Sequence, residues 1–326
     1  MYSMVKIFKP EIFQGKYKSK NYFEGWYFKL TDESEKNILS VIPGIAYGQS
    51  AEDKHAFIQV IDSTNYNTYY IKYDIATFKY SKTNFNISIG DNSFDRNRIE
   101  LNLEQREFRL QGTLKFHDIV PFPKTMFNPG IMGPFSFVPF MECYHGIINI
   151  HHRIEGNLIM GGNTIDFAKG NGYIEKDWGK SFPEWWVWIQ SNHFAEENIS
   201  VLFSIAKIPW IRRHFTGFFS FLSLKGKLYR FATYTGAKIR HLEYKNGNIK
   251  IIVSDKRYSM TILGKYQESG TIIAPQNGLM HRKIAESISS NVEVTLEDCK
   301  GNLIYNGCGK NAGMEIVQDC GYDFNE

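Results

Sequence analysis

An all-β fold is what this 326-residue chain predicts: a large antiparallel barrel or sandwich, or two in tandem, with a few short helices. Three observations predict it. Short runs rich in β-branched and aromatic residues recur from end to end. Gly, Asn, Asp and Ser separate them at short intervals. No helical apolar period persists for more than a few turns.

In chain order, NYFEGWYFKLT, KNILSVIPGIAYG, KHAFIQVIDS, NTYYIKYDI and NFNISIG read as the first strands. The same texture returns in EFRLQGTLKFHDI, HGIINIHHRIEGNLIMGGNTIDF, ISVLFSIAKIP, FTGFFSFLSLKGKLYRFATY and GNIKIIVSDKRYSMTILGKY, and SSNVEVTLEDCKGNLIYNGCGKNAGMEIV closes it. EGN, GGN, KGK, KNGN and CKGN are expected hairpin turns, because Gly and Asn accept the positive φ such turns require. Short helices are expected around 10–20, 180–186 and 283–289. Pro and Gly concentrate in FPKTMFNPGIMGPFSFVPFMECYHG, which places the expected division there: an N-terminal domain over 1–130 and a C-terminal one over 131–326, with terminal segments free to cross over.

Composition excludes several functions. A net charge of +4 with no dense Lys/Arg block argues against nucleic acid as partner. The N-terminus lacks a signal-peptide core, and runs such as IPWI fall short of the ~20 apolar residues of a membrane helix, so a cytoplasmic protein with at most transient membrane contact is expected. Cys143, Cys299, Cys308 and Cys320 are widely spaced without C-x-x-C, so reduced thiols are expected. No G-x-G-x-x-G, G-x-x-x-x-G-K-[ST] or G-x-S-x-G occurs, which disfavours nucleotide-dependent and nucleophile-elbow chemistry.

The densest stretch is GNGYIEKDWGKSFPEWWVWIQSNHF, residues 170–194, with four of the six tryptophans. Extended, it places Tyr173, Glu175 and Asp177 on one face, the two carboxyls about 7 Å apart. Such a pair can keep one carboxyl protonated near neutral pH, ready to give up its proton. The plainer reading is a turn with its salt bridges. Further on, Trp186, Trp188, Gln190 and Asn192 share a face, whereas Trp185, Val187, Ile189 and Ser191 read as ordinary core. Two indoles followed by two amides suit a pocket wall, although an aromatic-filled sheet would look similar. Indole faces also stabilise cations, by ~0.5–2 kcal/mol.

NYFEGWYFKL places Glu24 between Tyr22, Trp26 and Phe28 on one face. An acid there must be paired, protonated or functional. MECYHGIINIHHR supplies Glu142, Tyr144, His145, His151 and His152. No histidine pair has helical i, i+4 spacing and no H-E-x-x-H occurs, so a metal held by His145, His151 or His152 is the weaker reading and none is expected. His281 and Arg282 read equally as surface charge.

NYFEGWYFK, GYIEKDWGKSFPEWWVWIQSNHF and GKNAGMEI together resemble the tocopherol cyclase family, whose wider relatives include carotenoid 1,2-hydratases and AttH-like proteins. The pieces span nearly the whole chain. That resemblance implies two lipocalin-like β-barrels and a cofactor-free reaction, in which a prenyl double bond is protonated and a phenol oxygen captures the tertiary cation. Capture by water instead would yield an alcohol, the hydratase outcome. Where the plant-like pattern has K-N-W-G, this chain has Lys176-Asp177-Trp178-Gly179, a difference that bears on acid and substrate. The Ile-, Lys- and Asn-rich composition suits a low-GC bacterium.

On this reading Asp177 is the first candidate acid, Glu175 its partner, and Glu24 and Glu142 second candidates. Trp26, Trp178, Trp186 and Trp188, with Tyr144 and His145, line the ligand site, and Gln190 and Asn192 bind a hydroxyl or quinol oxygen. No cofactor is expected, and the partner is an apolar small molecule, an isoprenoid or prenylated phenol. A non-catalytic lipid carrier is the rival, with the carboxylates paired to Lys176, Lys180 or Arg282. An assembly module with aromatic sheet faces is the third reading.

Overall fold

The computed structural model describes residues 4–106, 108–210 and 213–318. The chain forms two compact units. The first runs to Phe182 and takes back Thr271–Lys283; the second comprises Pro183–Gly270 and the chain from Ile284 onward.

The first unit contains β1 (Tyr22–Thr31), β2 (Ile38–Tyr47), β3 (His55–Asp62), β4 (Thr68–Asp74), β5 (Phe78–Tyr80) and β6 (Asn86–Ile89). It continues with β7 (Asn92–Asp95), β8 (Arg98–Gln105), β9 (Phe108–Pro121), β10 (Cys143–Met160), β11 (Asn163–Asp166) and β12 (Gly170–Gly179). They make one antiparallel sheet ordered β4-β3-β2-β1-β12-β10-β9-β8-β7-β6-β5, with β11 on β10. The edge strands β4 and β5 are consecutive in the chain and joined by a single 3-10 turn, Ile75–Thr77, whose Ala76 amide is capped by the Asp74 carboxylate. The chain itself therefore bridges the gap in the cylinder where the hydrogen-bonded ladder stops. Alternation on β1 sends Trp26, Phe28 and Leu30 inward, where they meet Val41, Ile45, Phe94, Leu110, Ile154, Ile174 and Trp178.

The second unit contains β13 (Trp186–Ser191), β14 (His193–Phe194), β15 (Ser200–Trp210), β16 (Arg213–Leu224), β17 (Lys227–Ala232) and β18 (Lys238–Lys245). After β19 (Asn248–Ser254) and β20 (Tyr258–Lys265) the chain passes through β21 (Gly270–Gln276), which from Thr271 counts with the first unit, and the long β22 (Leu279–Asp298), which rejoins the second unit at Ile284, to β23 (Leu303–Val317). Its sheet runs β17-β16-β15-β13-β23-β22-β20-β19-β18. The closing device repeats: edge strands β17 and β18 are joined by the 3-10 turn Thr233–Thr235. Val187, Ile189, Phe203, Ile251, Val294 and Met314 fill the interior. Among the described residues no helix is long and apolar enough to cross a membrane.

The all-β, lipocalin-like fold class stands, while several details differ. The segment expected to divide the domains connects β9 to β10, which are neighbours in the first sheet, and the units part at Phe182/Pro183. The expected helices at 10–20 and 180–186 are irregular chain, and 283–289 lies inside β22. There, burial of Ile284, Glu286 and Ile288 at period two overrides the helix-forming Lys, Ala and Glu. KGK and KNGN do form two-residue turns, with positive φ at Lys225 and Gly226 and at Asn246 and Gly247. EGN does not: Gly156 sits within β10, where a side chain would meet the Thr113 carbonyl at 2.3 Å. Cys143, Cys299 and Cys308 are free thiols, and Cys320 lies outside the described residues.

Candidate active site

Strand β12 carries charge on both faces. Its even residues, Ile174, Lys176 and Trp178, turn into the first barrel, and its odd residues, Tyr173, Glu175 and Asp177, project from the opposite face. β12 lies between β1 and β10. Asp177 therefore stands opposite Gly25 on one side and His145 on the other, while Glu175 stands opposite Tyr27 and Ile147.

That register assembles a chain of four groups. The Tyr173 hydroxyl donates to Glu175 Oε2 at 2.6 Å, and Glu175 Oε2 lies 3.3 Å from His145 Nε2. His145 Nδ1 lies 2.9 Å from Asp177 Oδ1, which also receives the Cys143 thiol at 3.9 Å. The backbone amide of His145 donates to the Met132 thioether at 3.1 Å. Side-chain exposure rises from 6% at Glu175 and 11% at His145 to 23% at Asp177, so Asp177 is the end of the relay that another molecule can reach.

Electrostatics make His145 the resident cation. Burial disfavours its charge, but Asp177 and Glu175 outweigh that cost and hold it at about 10. Burial, reinforced by Asp177, pushes the Cys143 thiol well up, so it stays protonated. Burial with Glu175 does the same to the Tyr173 phenol. The His145, Glu175 and Asp177 donor atoms lie within 4.8 Å of one another. Yet the imidazole offers a different nitrogen to each carboxylate, the geometry of a proton bridge and not of a chelate, since one metal ion could take only one of those nitrogens.

Glu24 occupies the other face of the sheet, apart from Asp177. Its carboxylate accepts the amides of Gln14 and Gly15 (2.8 and 2.9 Å), the Tyr22 hydroxyl (2.6 Å) and Lys176 Nζ (2.5 Å). Lys176 also donates to the Pro10 and Ile12 carbonyls at 2.7 and 2.6 Å, and both charges are fully buried. The pair ties the segment before β1 into the barrel. Burial lowers Lys176, and Glu24 pulls it back towards its usual value. Trp26 and Trp178, expected to shelter a substrate cation, face this ammonium at 4.6 and 4.9 Å. Tyr144 stacks on Trp178 at 5.5 Å and donates to the Val138 carbonyl. Glu142 lies in the loop before β10, its carboxylate 3.7 Å from Lys180 Nζ and its carbonyl holding the amides of Lys180 and Ser181. His152 lies against Phe116, where burial keeps it neutral.

Trp186, Trp188 and Gln190 belong to the second unit, on the face of β13 opposite Val187 and Ile189. Asn192 follows the strand and is buried. The Trp186 indole donates to Glu315 Oε2, and Glu315 on β23 stands opposite both Trp188 and Glu286. Sequence reasoning missed Glu286 and Glu315. For Glu315 a signal existed, because it lies within GKNAGMEI, and the hydrogen bond joins that motif to the tryptophan run. Nothing in the sequence singled out Glu286, whose segment read as a helix.

A profile of the tocopherol cyclase-like family matches residues 113–317, well over half of the chain. The protein described as "Probable tocopherol cyclase, chloroplastic" from Oryza sativa subsp. japonica is 26% identical over 145 residues, 43% of this chain. The match spans 31% of that relative's length. Among solved structures, CghA shares a TM-score of 0.57 at 9% identity, over 93% of this chain and 90% of CghA. Kievitone hydratase from Nectria haematococca gives 0.51 at 9% identity, over 91% and 89%. At such identities the likeness shows a common fold alone. From the profile match, the chain belongs to the tocopherol cyclase-like family.

Proposed function

We propose that this chain is a cofactor-independent acid catalyst acting on an isoprenoid alkene, with a prenylated phenol or hydroquinone as substrate class. The observation that carries the reading is the Glu175–His145–Asp177 relay, a charged imidazole held between two carboxyls with the Asp177 end open. Family membership and the kinship of fold with proteins named as a hydratase and as a complex with a small molecule, Sch210972, support it.

The mobile proton shared by His145 Nδ1 and Asp177 Oδ1 is delivered to the alkene at the Asp177 end, leaving a tertiary cation, a carboxylate at Asp177 and a neutral His145 whose remaining N–H faces Glu175. The phenol oxygen then attacks the cation, a C–O bond forms, and the phenolic proton returns to Asp177. Protons balance over the cycle and no electrons are exchanged.

Hydration is the second reading, favoured by the 23% exposure of the Asp177 side chain, which leaves the reacting end within reach of water. Incubation with a prenylated hydroquinone separates the outcomes: a chromanol indicates cyclisation and a tertiary alcohol indicates hydration. Recovery of unchanged substrate bound one to one would sink both in favour of a carrier.

A further inference from the structure

We propose that the exposed aromatic loop between β9 and β10, together with the lysines that precede β1, forms a surface that docks on an anionic lipid bilayer. This goes beyond the catalytic reading and does not depend on it.

Residues 122–141 hold five Phe, three Met, one Lys and no acid. The turn closed by Thr125 and Asn128 presents Met126 and Phe127, each 75% exposed, and Phe140 further along is 92% exposed. Large apolar side chains so fully in water are costly to keep there, and aromatic rings favour the headgroup region of a bilayer. The adjoining N-terminal segment supplies the charge. Residues 4–20 carry Lys6, Lys9, Lys16, Lys18 and Lys20 against one acid, Glu11, which Arg96 and Lys124 already engage at 3.2 and 3.0 Å.

Named contacts hold the two segments together. Phe8 meets Phe137 edge-on at 6.1 Å, and Lys124 Nζ donates to the Phe8 carbonyl at 2.9 Å. Lys6 lies within electrostatic reach of Glu24 as well as of Lys16 and Tyr17, the last 82% exposed. A cavity of about 20 Å³ between Lys6, Pro10, Pro129 and Met132 marks where the segments abut. Apolar tips on a loop that adjoins a lysine-rich segment complement a negatively charged membrane surface, where each basic residue adds to the attraction and salt screens it.

The test is co-sedimentation of the full chain with vesicles of phosphatidylcholine alone or with about 30% phosphatidylserine, at low and high salt. Capture should be at least about tenfold stronger on the anionic vesicles and weaken with salt. Phe127→Ser/Phe140→Ser and Lys16→Glu/Lys18→Glu should each lose about tenfold or more in capture, with unchanged melting temperature. Leu303→Ser/Ile304→Ser, which alters exposed apolar residues of the second unit, should bind as wild type. No capture at low salt, or equal capture of all variants, would overturn the proposal. So would a dimer that ignores vesicles and is abolished by Phe127→Ser/Phe140→Ser, because the patch would then belong to a second copy of the chain.

Discussion

His145 on β10 stands directly across from Asp177 on β12, with Nδ1 2.9 Å from Oδ1, and the far side of the same ring faces Glu175. One strand pairing thus decides the chemistry of the outer face, while the next residue, Lys176, decides that of the barrel interior. The two ion sites serve different ends, and substitutions should separate them.

His145→Gln keeps a polar side chain of similar reach but removes the cation. Turnover of a prenylated hydroquinone is expected to fall by about 10²–10⁴-fold, the range of a lost general-acid contribution. Steady-state kinetics alongside circular dichroism would check this. A large rise in KM with kcat unchanged would assign His145 to binding instead.

The pH dependence of stability follows from the same ring. Its folded-state value, about 10, lies above the ordinary 6.5. The stabilisation is therefore complete below about 6.5 and is lost as pH rises through about 10. Lys176 has the opposite sign: burial lowers it, so its charge costs stability at lower pH and that cost is relieved on the alkaline side. Because Lys176 is common to both proteins, wild type compared with His145→Gln isolates the histidine. The urea midpoint of wild type should fall more steeply between about pH 7 and 10.

Lys176→Met leaves the Glu24 carboxylate buried without its cation. A loss of about 3–5 kcal/mol is expected in urea unfolding. Adding Glu24→Gln should recover much of it, since the amide keeps an oxygen for the Gln14 and Gly15 N–H groups. If the double variant were no more stable than the single one, the pair would not be the source of the cost.

Gly172 has no room for a side chain. A Cβ there would fall 2.1 Å from His152 Nε2, and the ring is packed against Phe116. Gly172→Ala should cost about 1–3 kcal/mol through overpacking, read as a lowered melting temperature. His152→Ala in the same background should relieve the clash.

Much of the strand pattern was legible because period two needs only local sequence. Tyr22, Glu24, Trp26 and Phe28 do share a face, and so do Tyr173, Glu175 and Asp177. What could not be read was which strands become neighbours. Nothing in the sequence between Asn21 and Ala46 points to β12, yet β1 pairs with it and so brings Glu24 to Lys176. His145 reaches Asp177 for the same reason, across a register fixed by the long β10 and its bulges. The helix expected at 283–289 failed on the complementary ground: Lys283, Ala285 and Glu286 favour a helix locally, but the sheet buries alternate residues there.

The central claim is that Asp177, held by His145, delivers the proton to the alkene. Its most direct test is turnover of a prenylated hydroquinone in D₂O, with deuterium located in the product by mass spectrometry and NMR, for wild type and Asp177→Asn. The account predicts one deuterium per product, on the prenyl carbon beside the new C–O bond, and at least about a 100-fold slower reaction in Asp177→Asn with ligand binding retained. Wild-type turnover by Asp177→Asn, or product without deuterium at that carbon, would contradict it.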